Sequence, residues 1–253
     1  TNDAIAFIKR NKDNPFFLYL AFDAPHEPYN IDQTAWYEGQ ETWEPNTKRY
    51  ASLITHMDAA IGRLLNELEQ LNLRKNTLII FASDNGAAIQ APIKILNCNA
   101  GFKGRKGTLY EGGIRVPFIV NQPGMVPIQT LDNLIYFPDM MPTLAALAKG
   151  TKHLPKQING INILPLFYGK QVDTDNRLLY WEFPGKQRAA RKGDWKCVTI
   201  HPNQPLELYN LKEDPEETNN LAKKYPRRVK EFDEEMQRMH IPTPNWPQPG
   251  EQF

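Results

Sequence analysis

Apolar residues follow two different rhythms along this chain, and the changes of rhythm mark its elements. Phe16 to Phe22 (FFLYLAF) is a short continuous apolar and aromatic run behind the break at Asn14-Pro15. A run of that length bounded by turn residues predicts a buried strand of the parallel-sheet kind. Asp23 to Pro28 (DAPHEP) is then the loop at its carboxyl end. From about Arg49 to Leu73 the spacing becomes helical. Leu53, Ile54, Met57, Ile61, Leu64, Leu65, Leu68 and Leu71 recur at steps of three and four, with Arg63, Glu67 and Glu69 interleaved. That is the stripe of a long amphipathic helix, ended by Asn72 to Asn76. Thr77 to Ala82 (TLIIFA) predicts a second buried strand, closed by Ser83-Asp84-Asn85-Gly86, and Val116 to Val120 a third. Strand, helix and strand in this order make a right-handed crossover unit. The fold class is therefore α/β with a largely parallel sheet.

Residues 87–113 show neither rhythm and hold five glycines, which predicts a long functional loop. Asp139 to Ala148 reads as a helix with Asp139 as N-cap and Pro142 in its first turn. Beyond about Gly150 the character shifts. Leu178 to Phe183, Arg188 to Thr199 and Leu206 to Leu211 are short strand-like runs with a turn at Gly193-Asp194. They predict a small antiparallel sheet in a second subdomain, so the chain divides into 1–150 and 151–253. Tyr225 to His240 is a closing helix with Val229, Phe232, Met236 and Met239 on one face, followed by a proline-rich strap.

Composition narrows the picture only modestly. The 253 residues are 41% hydrophobic and 23% charged, with a formal net charge of +1. This balance carries no nucleic-acid footprint, and no apolar run reaches the ~20 residues of a membrane helix. Two cysteines, Cys98 and Cys197, are too few for a disulfide framework. The amino terminus, Thr1-Asn-Asp-Ala, is neither a start methionine nor a signal peptide, so the chain is expected to begin inside a longer sequence.

Three loops carry candidate chemistry, two of them at the carboxyl ends of predicted strands, where α/β folds bind ligands. His26 sits between Pro25 and Pro28; alone it reads as an ordinary loop histidine, but its rigid setting suits an acid. Asp84 and Asn85 supply hard oxygen ligands of the kind Ca²⁺ or Mg²⁺ prefers, although Asn-Gly is also the commonest turn dipeptide. In Gly104 to Gly113 (GRKGTLYEGG), glycines let a backbone approach a ligand, and Arg105 and Lys106 could neutralise an oxyanion. The spacing is not that of a Walker P-loop.

Taken in order, LYLAFDAPHEP, a long helix, TLIIFASDNG and GRKGTLYEGGIRVPFIV resemble the sulfatase family of the alkaline-phosphatase-like superfamily. PDMMPTLAALA, NGINILPLF, AARKGDWKCV and ELYNLKEDPEETNNLA extend the resemblance from about Pro15 to about Leu221. It implies a mostly parallel sheet flanked by helices, with a small antiparallel carboxy-terminal subdomain. It implies sulfuric ester hydrolysis on a sulfated small molecule or glycan, and members that are often periplasmic, secreted or lysosomal. By the same resemblance, His26 contacts the sulfate ester and protonates the leaving oxygen, Asp84 and Asn85 bind one divalent metal, usually Ca²⁺, and Lys106 binds a sulfate oxygen. Glu111, Gly112 and Arg115 match structural positions, and Lys103 is misplaced for the lysine's role. Asn85 stands where related phosphatases and phosphonate hydrolases carry histidine, which favours sulfate over those two alternatives. A non-catalytic sulfate-ester-binding module is the reading from a different class.

The chain also departs from the family pattern. Members carry Cys-x-Pro-x-Arg or Ser-x-Pro-x-Arg, whose first residue becomes a formylglycine nucleophile, and two aspartate ligands before it. Neither Cys98, Cys197 nor any serine here has that context. The expectation is a carboxy-terminal portion with the amino-terminal half of the enzyme as its partner, inactive alone, weak in metal binding, and with an exposed apolar face or open sheet edges. Trp36, Trp43, Trp181 and Trp246 are candidates for stacking on a sugar ring and equally for packing.

Overall fold

The computed structural model describes residues 1–183, 187–201 and 204–244. They form two compact units. One comprises Thr1–Phe81, Ala87–Cys98 and Phe118–Met125; the other comprises Ala82–Gly86, Asn99–Pro117 and the described residues from Val126 on.

The first unit is built on two helices. α1 (Asn2–Asn11), which the apolar rhythm does not announce, buries Ala4 and Ile8, and its Lys9 pairs with Glu67 at 3.3 Å. α2 (Pro45–Gln70) starts one turn earlier than its stripe, because Pro45 at the first helical position lacks only an N–H that would be unpaired there anyway. It ends where predicted, at Asn72 with φ +57°. Its burial is uneven: Leu68 is buried, but Ile54 is 38% exposed, and Thr47, Tyr50, Ala51 and Ser52 are the buried residues near its start. The rings of Tyr29 and Tyr50 meet edge-on at 5.4 Å there. After a short β1 (Ile79–Ala82) and the single turn α3 (Ile93–Leu96), β2 (Phe118–Asn121) pairs with β1 in a two-stranded sheet.

FFLYLAF corrects the expectation of a buried strand. The segment is extended and alternates in burial, but no ladder pairs with it among the described residues. Phe17 and Tyr19 are 71% and 81% exposed. A strand exists by virtue of its partners, and side chains of an unpartnered extended segment point outward on alternate residues. The predicted strand–helix–strand ladder is therefore absent among the described residues, and Phe17, Tyr19 and Ile119 (57%) are exposed apolar side chains.

The second unit centres on an antiparallel meander in the order β3 (Leu178–Phe183), β4 (Gln187–Lys192), β5 (Trp195–Thr199), β6 (Glu207–Asn210). Gly193-Asp194 makes the predicted β4–β5 turn: Lys192 pairs with Trp195, and Gly193 takes φ +54°. Alternation sorts the two faces. Ala189, Val198 and Tyr209 pack with Leu109 and Tyr110 on one side. On the other, Ala190, Cys197 and Leu208 meet Phe232 and Met236 of the closing helix, residues Pro226–Met239. The loop 87–113 is less irregular than predicted, since besides α3 it contains α4 (Glu111–Ile114). Asp139 holds the expected N-cap position of α5 (Met140–Leu147), but its side chain makes no cap hydrogen bond there. Its buried carboxylate instead takes both guanidinium arms of Arg177 at 2.6 Å and the N–H groups of Tyr136 and Ile161. A bidentate ion pair outcompetes a cap because it satisfies a buried charge. A further turn, α6 (Leu164–Phe167), precedes β3, and the closing helix is α7. Of the proline-rich strap, residues 245–253 lie outside the described residues, Trp246 among them.

Candidate functional site

The loop after β1 is held by backbone packing. Ser83 Oγ donates to the carbonyl of Asn85, and Asn85 Nδ2 donates to the carbonyl of Gly86, both at 2.9 Å. The Gly86 N–H donates to the Gly113 carbonyl at 3.0 Å. A Cβ on Gly86 would stand 1.8 Å from the Gly112 carbonyl oxygen, so only glycine fits here, whatever turn the Asn-Gly pair makes. Asp84 is exposed on this loop. With Nδ2 engaged, Asn85 has Oδ1 left as a ligand atom. A carboxylate and an amide oxygen suit a hard cation in kind, and they are two of the six to eight oxygens Ca²⁺ takes. Among the described residues no group of three His, Cys, Asp or Glu side chains gathers as a metal cluster.

Lys106 occupies the tip of an adjoining turn. The Thr108 N–H donates to the Arg105 carbonyl at 3.0 Å, and Gly107 at φ +89° follows Lys106. Lysine second and a positive-φ glycine third make a type II turn. Thr108 Oγ1 tightens it, donating to the Arg105 carbonyl and accepting from its N–H at 2.9 and 3.1 Å. Gln187, from the start of β4, reaches the same turn through two hydrogen bonds. The glycines of GRKGTLYEGG were expected to admit a ligand. Gly112 and Gly113 instead admit backbone: added Cβ atoms would lie 2.6 Å from the Lys103 carbonyl and 2.1 Å from the Thr108 carbonyl. Close backbone approach is the common requirement, and here the chain itself meets it.

Beneath this turn lies an ion cluster. Glu111, 2% exposed, pairs with fully buried Lys196 at 2.9 Å. Lys196 lies 2.9 Å from Glu217 as well, an ion pair without hydrogen-bond geometry at Glu217 Oε1, and the other Glu217 oxygen accepts the Glu111 N–H at 2.7 Å. Burial pushes the Glu217 carboxyl up, against the pull of Lys196. Neither Lys196 nor Glu217 stands out in the sequence, because nothing local marks a lysine in a strand as buried. Lys103 turns to the sheet: its ammonium is 3.0 Å from Tyr209 Oη, 3.5 Å from Glu207 and 4.1 Å from the Tyr110 ring centre.

His26 belongs to the first unit. It is exposed, and its Nδ1 lies 2.7 Å from the Glu27 carbonyl. A carbonyl only accepts, so the ring proton of this contact sits on Nδ1. Among the tryptophans, Trp36 is 55% exposed, Trp43 stacks on Tyr37 at 5.6 Å and Trp181 meets Tyr136 edge-on. Both cysteines are free. Burial raises the Cys98 thiol, a hydrogen bond from Tyr50 partly opposing it, and pushes Cys197 up to about 12; both are protonated thiols at neutral pH.

Comparison with known proteins matches the sulfatase family model to residues 1–151 and the carboxy-terminal model of N-sulphoglucosamine sulphohydrolase to residues 102–241. A sulfatase of Formosa agariphila is 32% identical, covering 88% of this chain and 45% of the relative. An N-acetylgalactosamine-6-O-sulfatase of Bacteroides thetaiotaomicron is 30% identical over 92% of this chain and 49% of its own. A crystal structure of Ps i-CgsB in complex with k-i-k-neocarrahexaose superposes with a TM-score of 0.85 at 28% identity, covering 98% of this chain and 56% of that one. The chain thus spans about half the length of the curated relatives it matches. It belongs to the sulfatase family and corresponds to the carboxy-terminal portion of its members.

Proposed function

We propose that this chain supplies part of the active site of a sulfuric ester hydrolase acting on a sulfated carbohydrate. The supporting observation is the glycine-to-glycine packing of Gly86 on Gly112 and Gly113, which fixes the Asp84-Asn85 loop against the segment that carries Lys106. In this reading Asp84 and Asn85 help hold a divalent cation, Ca²⁺ or alternatively Mg²⁺. When bound, the cation draws negative charge from the sulfate oxygens. The Lys106 ammonium pairs with a non-bridging sulfate oxygen. His26, its imidazolium oriented through Nδ1 by the Glu27 carbonyl, delivers the Nε2 proton to the leaving oxygen as the S–O bond breaks. The formylglycine nucleophile and further carboxylate ligands come from sequence outside these 253 residues. The carbohydrate preference is supported by a relative named for N-acetylgalactosamine-6-O-sulfate and a structural neighbour that holds an oligosaccharide.

The test is turnover of 4-nitrophenyl sulfate and of sulfated N-acetylgalactosamine by the full-length protein, with Ca²⁺ or a chelator. Chelator-sensitive release of sulfate, with 4-nitrophenyl phosphate far slower, is the expected result. The 253-residue chain alone is expected to be inactive, and turnover by it would overturn the assignment of the nucleophile to other sequence. Faster phosphate than sulfate release would overturn the sulfatase reading itself.

A further inference from the structure

We infer that Gln187 is a positioning residue for Lys106, an inference that rests on the sulfatase reading. The Gln187 side-chain amide spans the carboxyl side of the lysine's turn. Its Nε2 donates to the Gly107 carbonyl at 2.9 Å, and its Oε1 accepts from the Leu109 N–H at 3.3 Å. Both partners are backbone groups within three residues of Lys106, so the contact acts on the path of the chain. A primary amide both gives and takes hydrogen bonds in one plane, which allows one side chain to set two peptide units at once. Glutamate could only accept and lysine only donate.

The support behind Gln187 is rigid. The residue is 8% exposed and opens β4, opposite Phe183 of β3, within a continuous ladder to β5. The Phe183 ring also backs Gly107, standing 3.9 Å from where a Cβ would be. The turn itself is closed by short-range bonds between Arg105 and Thr108, and Lys106 is exposed at its tip. A type II turn with a glycine at positive φ can flip its central peptide, and the Gly107 carbonyl held by Gln187 is the next group along. The antiparallel sheet, remote in sequence from every candidate catalytic residue, thereby sets the direction in which the lysine side chain leaves the backbone. Misplacing a group that binds a reacting oxygen weakens catalysis without removing the group.

The experiment is a double-mutant cycle in the full-length protein with Gln187→Met, which keeps the length and loses the hydrogen bonds, and Lys106→Ala. kcat/KM for 4-nitrophenyl sulfate and inhibition by inorganic sulfate are both read. Gln187→Met is expected to lower kcat/KM and weaken sulfate inhibition by about tenfold, the scale of one or two lost hydrogen bonds, and to add almost nothing once Lys106 is alanine. Gln187→Glu, which keeps only the acceptor, is expected to fall between Met and wild type. Effects of Gln187→Met that multiply in full with those of Lys106→Ala would overturn the proposal, as would wild-type sulfate inhibition in Gln187→Met. An inactive wild-type protein would instead overturn the sulfatase reading, and the proposal with it.

Discussion

Lys196 Nζ lies 2.9 Å from the Glu111 carboxylate although 85 residues separate them, and both side chains are almost wholly buried. The pair joins the Gly-rich segment to the middle of the antiparallel sheet. Removing one partner of a buried ion pair costs more than the pair contributes, since it leaves the other charge unpaired. Lys196→Met takes from Glu217 its ion-pair partner and leaves Glu111 to Arg115 and Arg191 at 3.8 and 3.7 Å, and is expected to destabilise the protein by about 3–5 kcal/mol in urea unfolding. Adding Glu111→Gln and Glu217→Gln to that variant should recover part of the loss. A loss below 1 kcal/mol would show that water reaches the cluster.

Gly86 and Gly62 should respond to alanine in opposite directions. A Cβ at Gly86 meets a carbonyl oxygen at 1.8 Å, and backbone on both sides cannot yield cheaply. Gly86→Ala is expected to cost more than about 3 kcal/mol. Gly62, inside α2, has nothing within 4 Å of its added Cβ, so Gly62→Ala should stabilise by roughly 0.5–1 kcal/mol through helix propensity. Thermal melts of the two variants decide both.

Glu207 makes part of the stability depend on acid. Burial alone would raise its carboxyl, but hydrogen bonds from Tyr209 and Tyr110 and the charge of Lys103 outweigh it and hold the group below its usual 4.5. A carboxyl lowered in the folded state binds its proton more readily when unfolded. Its contribution is therefore complete above about pH 4.5 and lost as pH falls through the lower folded value. Glu207→Gln should lower stability at pH 7 and flatten its fall below pH 4.5. An unchanged acid slope would assign that fall to other groups.

His26→Ala tests the acid through the leaving group. If Nε2 delivers the proton, loss of the histidine should slow a sugar sulfate, with its basic leaving alkoxide, by about 10²–10⁴-fold. The loss with 4-nitrophenyl sulfate should be much smaller, because nitrophenolate leaves without a proton. Equal losses on the two substrates would point to a binding role instead.

Local patterns made much of this protein legible. Short strand-like runs with turn signals between them located β3 to β6, the helical stripe located α2 and α7, and Asn72 and Gly193 marked the end of α2 and the β4–β5 turn because a positive φ is a local demand. The candidate residues His26, Asp84, Asn85 and Lys106 could be named because they sit in contiguous motifs. What escaped was whatever depends on residues distant in sequence. FFLYLAF has the composition of a strand, yet pairing needs a neighbour. Asp139 had the place of a cap, yet Arg177, 38 residues on, claims its carboxylate. The sequence by itself determined the family, the elements and the residue types available for chemistry. Only the tertiary structure decided which glycines meet backbone, which carboxylates meet Lys196 and which amide holds the turn of Lys106. Periodicity and turn chemistry are encoded within a few residues, whereas burial and pairing are settled only when distant segments pack.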